Sequence, residues 1–157
     1  ALVVLSPVFL VTAIAIKATD HGPVFYKQIR LTKDGKEFAI LKFRSMRVDA
    51  EKDGVARLSS GENDSRITPV GKVIRACRVD ELPQLINILR GELSIVGPRP
   101  ALWNQFDLIE ERDKYGANDL VPGLTGYAQI NGRDEIPSQQ KARLDGSYLH
   151  HIGLIPD

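Results

Sequence analysis

The sequence predicts an α+β fold: an N-terminal re-entrant membrane helix, a β-hairpin and several short amphipathic helices around one small core. Three observations predict it. Residues Ala1 to Ile16 carry no charge, two runs rich in β-branched and aromatic residues flank Asp34-Gly35, and apolar residues recur at helical spacing from Leu82 to Leu89.

A chain of 157 residues with 43% hydrophobic and 26% charged residues can bury one core and is too apolar for a disordered segment. The net charge of +1 hides an asymmetry. The first fifty residues carry 8 Lys/Arg against 4 Asp/Glu, net +4, and the remainder 13 against 16, net −3. A pI of about 8.1 and 6% aromatics, without stacking rings set among the basic residues, argue against a nucleic-acid partner. The one cysteine, Cys77, has no disulfide mate and no metal-ligand spacing around it. It fits a reducing compartment and is expected as a small buried apolar residue.

The opening stretch, "ALVVLSPVFLVTAIAI", begins without Met, as an N-terminally truncated helix would. Sixteen helical residues reach about 24 Å, short of the roughly 30 Å hydrocarbon core of a bilayer. Pro7 removes a helical hydrogen bond, and the Ser6 hydroxyl can satisfy the carbonyl it frees. A bent helix that enters and leaves the membrane on one face is expected, with a buried core helix as the alternative. The stretch lacks the basic start and cleavage site of a signal peptide. Lys17, Lys27, Arg30, Lys33 and Lys36 follow it and favour the cytoplasmic membrane surface.

Val24 to Leu31 and Glu37 to Phe43 read as strands joined at Asp34-Gly35, a pair suited to positive φ. Alternation puts Lys42 and Arg44 on one face and Phe43 on the other, a pattern that fits an anion site or a solvated edge. Val48 to Asp64, with "SSGENDS" at its end, reads as a mobile surface loop. "ITPVGKVIRACRVDE" predicts a short helix with Arg75 and Arg78 on one face and Val70, Ile74 and Cys77 on another. Leu82, Leu85, Ile86 and Leu89 form the apolar stripe of the next helix, with Pro83 in its first turn and Gly91 as its stop. Leu93 to Val96 reads as a buried strand ending in Gly97-Pro98-Arg99-Pro100, where two prolines restrict the backbone on either side of Arg99. A helix of mixed polarity is expected within Ala101 to Tyr115, and a short strand at Tyr127 to Ile130 between turns at Pro122-Gly123 and Asn131-Gly132. His150 and His151 are adjacent, a poor spacing for two ligands on one metal.

Asp80 and Glu81 fall at the start of the predicted stripe helix. They can be an N-cap with an acidic first-turn residue. Against so simple a role stand Arg66, Lys72, Arg75 and Arg78, all within fifteen residues, and Arg99 beyond. Surplus cations suggest an anionic ligand. A carboxylate in that field is expected to have a lowered pKa and stay ionised, as a nucleophile must, while its neighbour holds Mg²⁺ against diphosphate oxygens. No glycine-rich phosphate loop, H-E-x-x-H or G-x-S-x-G occurs, so arginine side chains and helix N-termini would have to carry phosphate.

"GPVFYKQ", "KFRSMRVDAE", "SRITPVGKVIR", "VDELPQLINILRGELSIVGPRP" and "PGLTGYAQINGR", in that order, resemble the bacterial sugar transferase family of polyprenol-phosphate phosphoglycosyl transferases, in its small monotopic form. The likeness runs from about Ala1 to Arg143, and its Asp80 to Pro100 block is the most specific. It implies a membrane-embedded helix over 1–19 and a catalytic domain over 20–157, at the cytoplasmic face of the bacterial inner membrane. By that resemblance Asp80 attacks the β-phosphate of a UDP-sugar, releases UMP and forms an aspartyl-phosphosugar intermediate, which polyprenyl (undecaprenyl) phosphate then takes up. Glu81 is implied to hold Mg²⁺, Arg75 to bind a substrate phosphate, Arg99 to shape the nucleotide pocket, and Lys42 with Arg44 to line the same site. N-acetylated hexoses are the expected donors, and Ser6-Pro7 matches the break in the family's re-entrant helix. The rivals are a glycosyltransferase that passes on the bare sugar and releases UDP, and a non-enzymatic membrane-surface module.

Overall fold

The computed structural model describes residues 2–50, 64–132 and 136–149. Most of the predicted loop, together with Arg133, His150 and His151, lies outside the described residues. The protein is mixed α and β, in two compact units: Ala1–Gln28 with Ile40–Ile86, and Ile29–Ala39 with Asn87–Asp157.

In the first unit, α1 is one helix over Leu2–Thr19, about 27 Å long at the usual rise. Ser6 Oγ donates to Val3 O at 2.8 Å, the carbonyl that Pro7 leaves without an amide partner. Only Thr12 and Ile16 of this helix are buried, while Val3, Val4, Leu10, Val11 and Ile14 are exposed. That exposure removes the buried-core alternative. By length and composition α1 can cross a membrane.

Strands β1 (Phe25–Leu31) and β2 (Glu37–Phe43) pair across a tight turn at Lys33–Gly35, where Asp34 (φ 60°) and Gly35 (φ 70°) take the left-handed conformation expected of Asp-Gly. Phe43 is the centre of the first unit's core. Its ring meets Phe9 edge-on at 5.0 Å and stacks on Phe25 at 5.3 Å, with Ile16 and Ile74 around it. Helix α2 (Pro69–Ala76) begins as the sequence suggests: Thr68 Oγ1 accepts from Gly71 N at 2.9 Å, and Pro69 occupies the first turn. A side chain at position 71 would strike the Ser45 carbonyl, so α2 lies against the chain after β2 only because Gly71 has none.

Helix α3 (Gln84–Leu89) is shorter than its predicted stripe, and the stripe is not its buried face. Leu89 is 76% exposed, whereas Gln84 at 2% and Asn87 at 0% are enclosed. For Asn87 the enclosure is matched by hydrogen bonds, whereas Gln84 Nε2 has no partner among the described residues. Asn87 Nδ2 donates to Ala39 O at 2.9 Å and to Glu92 Oε2 at 2.7 Å.

In the second unit, β3 (Ser94–Val96) pairs in parallel with β4 (Gly123–Thr125), in register Ser94 to Gly123 and Val96 to Thr125. The predicted strand at Tyr127 to Ile130 is instead a helical turn, α5 (Tyr127–Ile130). The strand falls instead on Gly123–Thr125, where the backbone around Gly97, Gly123 and Gly126 is packed too closely for any Cβ. Ile95, expected to be buried, is exposed. Helix α4 (Phe106–Asp113) matches expectation, and α6 (Ser138–Tyr148), which no sequence signal indicated, packs against it. Between them lies a buried ion pair: Arg112 Nε and Nη2 donate to Asp145 Oδ2 at 2.9 and 2.6 Å.

Candidate active site

The carboxylate pair sits in a single turn of tight helix, Val79–Glu81, between α2 and α3. Helix α2 ends at Ala76, so Arg75 and Arg78 do not share a helical face as expected. Arg78 instead takes the left-handed conformation (φ 58°) just past the helix end, a place usually filled by glycine and costing an L-residue about 1–2 kcal/mol. That reversal carries the chain from α2 into the carboxylates. Cys77, expected inside, is exposed because it is the capping residue of this reversal.

Asp80 and Glu81 are both buried, 7% and 8% exposed. Neither is the N-cap of α3, and no side-chain cap bond is made in their turn. Glu81 is held by Lys42, whose Nζ donates to Oε1 at 3.1 Å. Asp80 Oδ1 is enclosed with no hydrogen-bond partner among the described residues. A capping carboxylate would have backbone amides on it, so this one is present for another purpose.

The expected lowering of the Asp80 pKa is overturned. Burial pushes it above the ordinary carboxylate value and outweighs the rest: Lys42 pulls down, Glu81 pushes up, Arg75 and Arg78 pull down. The cations inferred from the sequence do act on Asp80, but without direct contact, and desolvation is the larger effect.

The remaining predicted site residues separate. Arg75 is half-buried and acts on Asp80 through its charge. Arg44 is buried and turned towards the end of α1, donating through Nη1 to Asp20 Oδ2 at 2.9 Å and through Nη2 to Asp20 O at 2.7 Å. Lys42 and Arg44 leave the strand with the same parity, yet each meets a different carboxylate. Arg66, counted among the surplus cations, forks onto Asp64 at 2.9 and 2.6 Å. Arg99 belongs to the second unit, on a turn pinned at both prolines: Pro98 O accepts from Gly123 N at 2.8 Å, and Pro100 O from Arg30 Nη1 at 3.0 Å. Asp20, the partner of Arg44, was missed in the sequence because no local spacing joins residues 24 apart.

Glu81, with Asp80 beside it, is the carboxylate a Mg²⁺ ion would use here. Adjacent Asp80 and Glu81 are hard oxygen donors, and Glu81 Oε1 already has Lys42 Nζ on it at 3.1 Å. No group of three or more His, Cys, Asp or Glu lies together among the described residues, so any such ion would take one or two carboxylates and further oxygens from substrate.

The profile described as bacterial sugar transferase matches residues 1–157. The uncharacterized sugar transferase EpsL of Bacillus subtilis is 40% identical over 152 residues, which cover 97% of this chain and 73% of EpsL. A UDP-glucose:undecaprenyl-phosphate glucose-1-phosphate transferase of Klebsiella pneumoniae is 40% identical over 149 residues, 89% of this chain. A UDP-N-acetylgalactosamine-undecaprenyl-phosphate N-acetylgalactosaminephosphotransferase of Aeromonas hydrophila is 43% identical over 156 residues, 95% of this chain. The matched parts make up only 30% and 36% of those two longer proteins.

Proposed function

The chain belongs to the bacterial sugar transferase family, and from that premise we propose that it moves a phosphosugar from a UDP-sugar to polyprenyl phosphate through Asp80. One observation carries the reading. Asp80 is buried among cations yet bonded to none of them, which is costly for a structural carboxylate and apt for a nucleophile.

An oxygen of ionised Asp80 attacks the β-phosphorus of the donor. The bond from that phosphorus to the oxygen bridging the two phosphates breaks, and UMP leaves with that oxygen. A phosphate oxygen of the polyprenyl acceptor then attacks the same phosphorus, the acyl-phosphate bond breaks, and the Asp80 carboxylate is restored. Oδ1 is enclosed, so Oδ2 is the oxygen that attacks. Arg75 and Arg78 offset the charge that gathers on the transferring phosphoryl group, and Lys42 keeps Glu81 in place. Glu81 would hold Mg²⁺, which would neutralise the diphosphate oxygens of the donor. Arg44 supports the site by fixing the end of α1.

The acceptor's tail lies in a bilayer and the donor is water-soluble, so both must meet at the cytoplasmic membrane surface. An apolar α1 with exposed sides supports that placement, and Ser6-Pro7 supports a re-entrant path. N-acetylated hexoses are the proposed donors. Membrane-bound protein supplied with UDP-N-acetylhexosamines, UDP-glucose, undecaprenyl phosphate and Mg²⁺ is expected to release UMP. Asp80→Asn should abolish the release, and Glu81→Gln should raise the Mg²⁺ concentration required. Release of UDP, or UMP release by Asp80→Asn, would overturn the reading.

A further inference from the structure

Three successive residues at the end of β2 grip three separate parts of the first unit. Lys42 Nζ donates to Glu81 Oε1 at 3.1 Å, beside Asp80. The Phe43 ring, 1% exposed, packs on Phe9 of α1 at 5.0 Å, with Ile16 of the same helix around it. Arg44 closes on the residue that follows α1: Nη1 donates to Asp20 Oδ2 at 2.9 Å and Nη2 to Asp20 O at 2.7 Å. Asp20 Oδ2 also accepts from Val48 N at 3.3 Å, and Arg44 N donates to Val24 O at 2.9 Å, so the chain on both sides is tied to this clasp. Arg44 is buried, and opening the pair would strand its charge, which is strongly unfavourable. Space is closed as well as charge. A Cβ at position 22 would strike Val48 Cγ2 and Arg44 Nη1, and Gly22 does not take a positive φ, so what the clasp needs there is only the missing side chain.

We infer that Asp20 and Gly22 are positioning residues: through Arg44 and the end of β2 they set the height of Asp80 and Glu81 relative to α1, and so govern the step that hands the phosphosugar to the lipid acceptor. The inference rests on the proposed two-step reaction and on the proposed placement of α1 in the bilayer. The donor reaches Asp80 from water and is indifferent to that height. The acceptor phosphate is held at the headgroups by its tail, so its approach to phosphorus changes with any tilt of α1 against β2. A misplacement of about 1 Å can cost about 100-fold in rate.

The test separates the two steps in bilayers of phosphatidylethanolamine and phosphatidylglycerol with Mg²⁺ present. With undecaprenyl phosphate omitted, exchange of labelled UMP into UDP-N-acetylglucosamine or UDP-glucose, whichever wild type turns over, reads the first step alone. Turnover with undecaprenyl phosphate reads both steps. Asp20→Asn and Gly22→Ala are expected to keep UMP exchange and the donor KM within about twofold of wild type and to lower turnover by about 10- to 100-fold. A nitroxide on Cys77, the one cysteine, exposed and three residues from Asp80, reads the height of the site by its accessibility to oxygen in lipid against a nickel chelate in water. Its depth is expected to change in both variants. Equal loss of exchange and turnover makes the clasp part of the site's general structure and overturns the inference, as does unchanged turnover or an unchanged label depth. Loss of the folded state in both variants makes the clasp a stability element and overturns it too. If wild type exchanges no UMP, the aspartyl reading falls, and the label depth alone then decides whether Asp20 and Gly22 set the height of the site.

Discussion

Asp80 in the first unit and Asp145 in the second are both buried carboxylates whose pKa burial pushes up, and each has an enclosed Oδ1 without a partner. Their other surroundings differ. Asp145 Oδ2 takes two hydrogen bonds from the buried Arg112, an ion pair that ties α4 to α6. Asp80 has Lys42, Arg75 and Arg78 acting on it, but the contact that Lys42 makes goes to Glu81. Where a carboxylate only holds helices together, the fold neutralises it by direct contact. At Asp80 the charge is balanced only from a distance, at a cost in stability.

The sharpest way to break that comparison is to neutralise each carboxylate in turn. Asp80→Asn should lower UMP release by roughly 10³-fold or more, as loss of a nucleophile does. It should also leave the protein as stable or more stable at neutral pH. The unfolded chain releases this proton near the ordinary carboxylate value, whereas the folded chain does so only at higher pH. Stability is therefore greatest below the ordinary value and declines as pH rises through the raised folded value, a decline the Asn variant escapes. Differential scanning calorimetry between pH 4 and 8 checks this, and a large drop in melting temperature for Asp80→Asn would erase the distinction. In the second unit, Arg112→Met leaves Asp145 buried without its cation and should cost about 3–5 kcal/mol in urea unfolding. Arg112→Met with Asp145→Leu should recover most of that loss, because a packed apolar pair avoids the desolvation of both ions.

Lys42→Met sharpens the comparison at lower amplitude. Lys42 is the largest influence holding the Asp80 pKa down, and it also offsets Glu81, so its loss should move the acid limb of kcat/KM to higher pH. An unmoved limb would show that Lys42 serves Glu81 alone. Smallest is Arg78→Gly, which relieves the left-handed backbone and should raise stability by up to about 1 kcal/mol while shifting the acid limb slightly upwards.

Much of the architecture was legible in local pattern. The hairpin and its Asp-Gly turn, the Thr68-Pro69 start of α2, the Ser6 bond to the carbonyl freed by Pro7, and α4 all follow from contacts within a few residues. The candidate site was legible in part, since its carboxylates and cations are consecutive in the Arg75 to Glu81 stretch. Less legible was which side of α3 is enclosed. Apolar spacing pointed to Leu82, Leu85, Ile86 and Leu89, but the enclosed positions are Gln84 and Asn87. A buried polar residue leaves no periodic signal, because its partners lie on other segments.

The sequence by itself determined the Asp-Gly hairpin, the capped start of α2, the presence of α4, the family, and the run of cations and carboxylates from Arg75 to Glu81, because turn chemistry, capping and motif blocks act over short stretches of chain. Only the tertiary structure decided the sign of the Asp80 pKa shift, the pairing of Lys42 with Glu81 and of Arg44 with Asp20, and the Arg112–Asp145 bridge. Desolvation depends on how completely the whole chain closes over a group, and ion pairs depend on distances between residues remote in sequence. Neither quantity exists until the chain is folded.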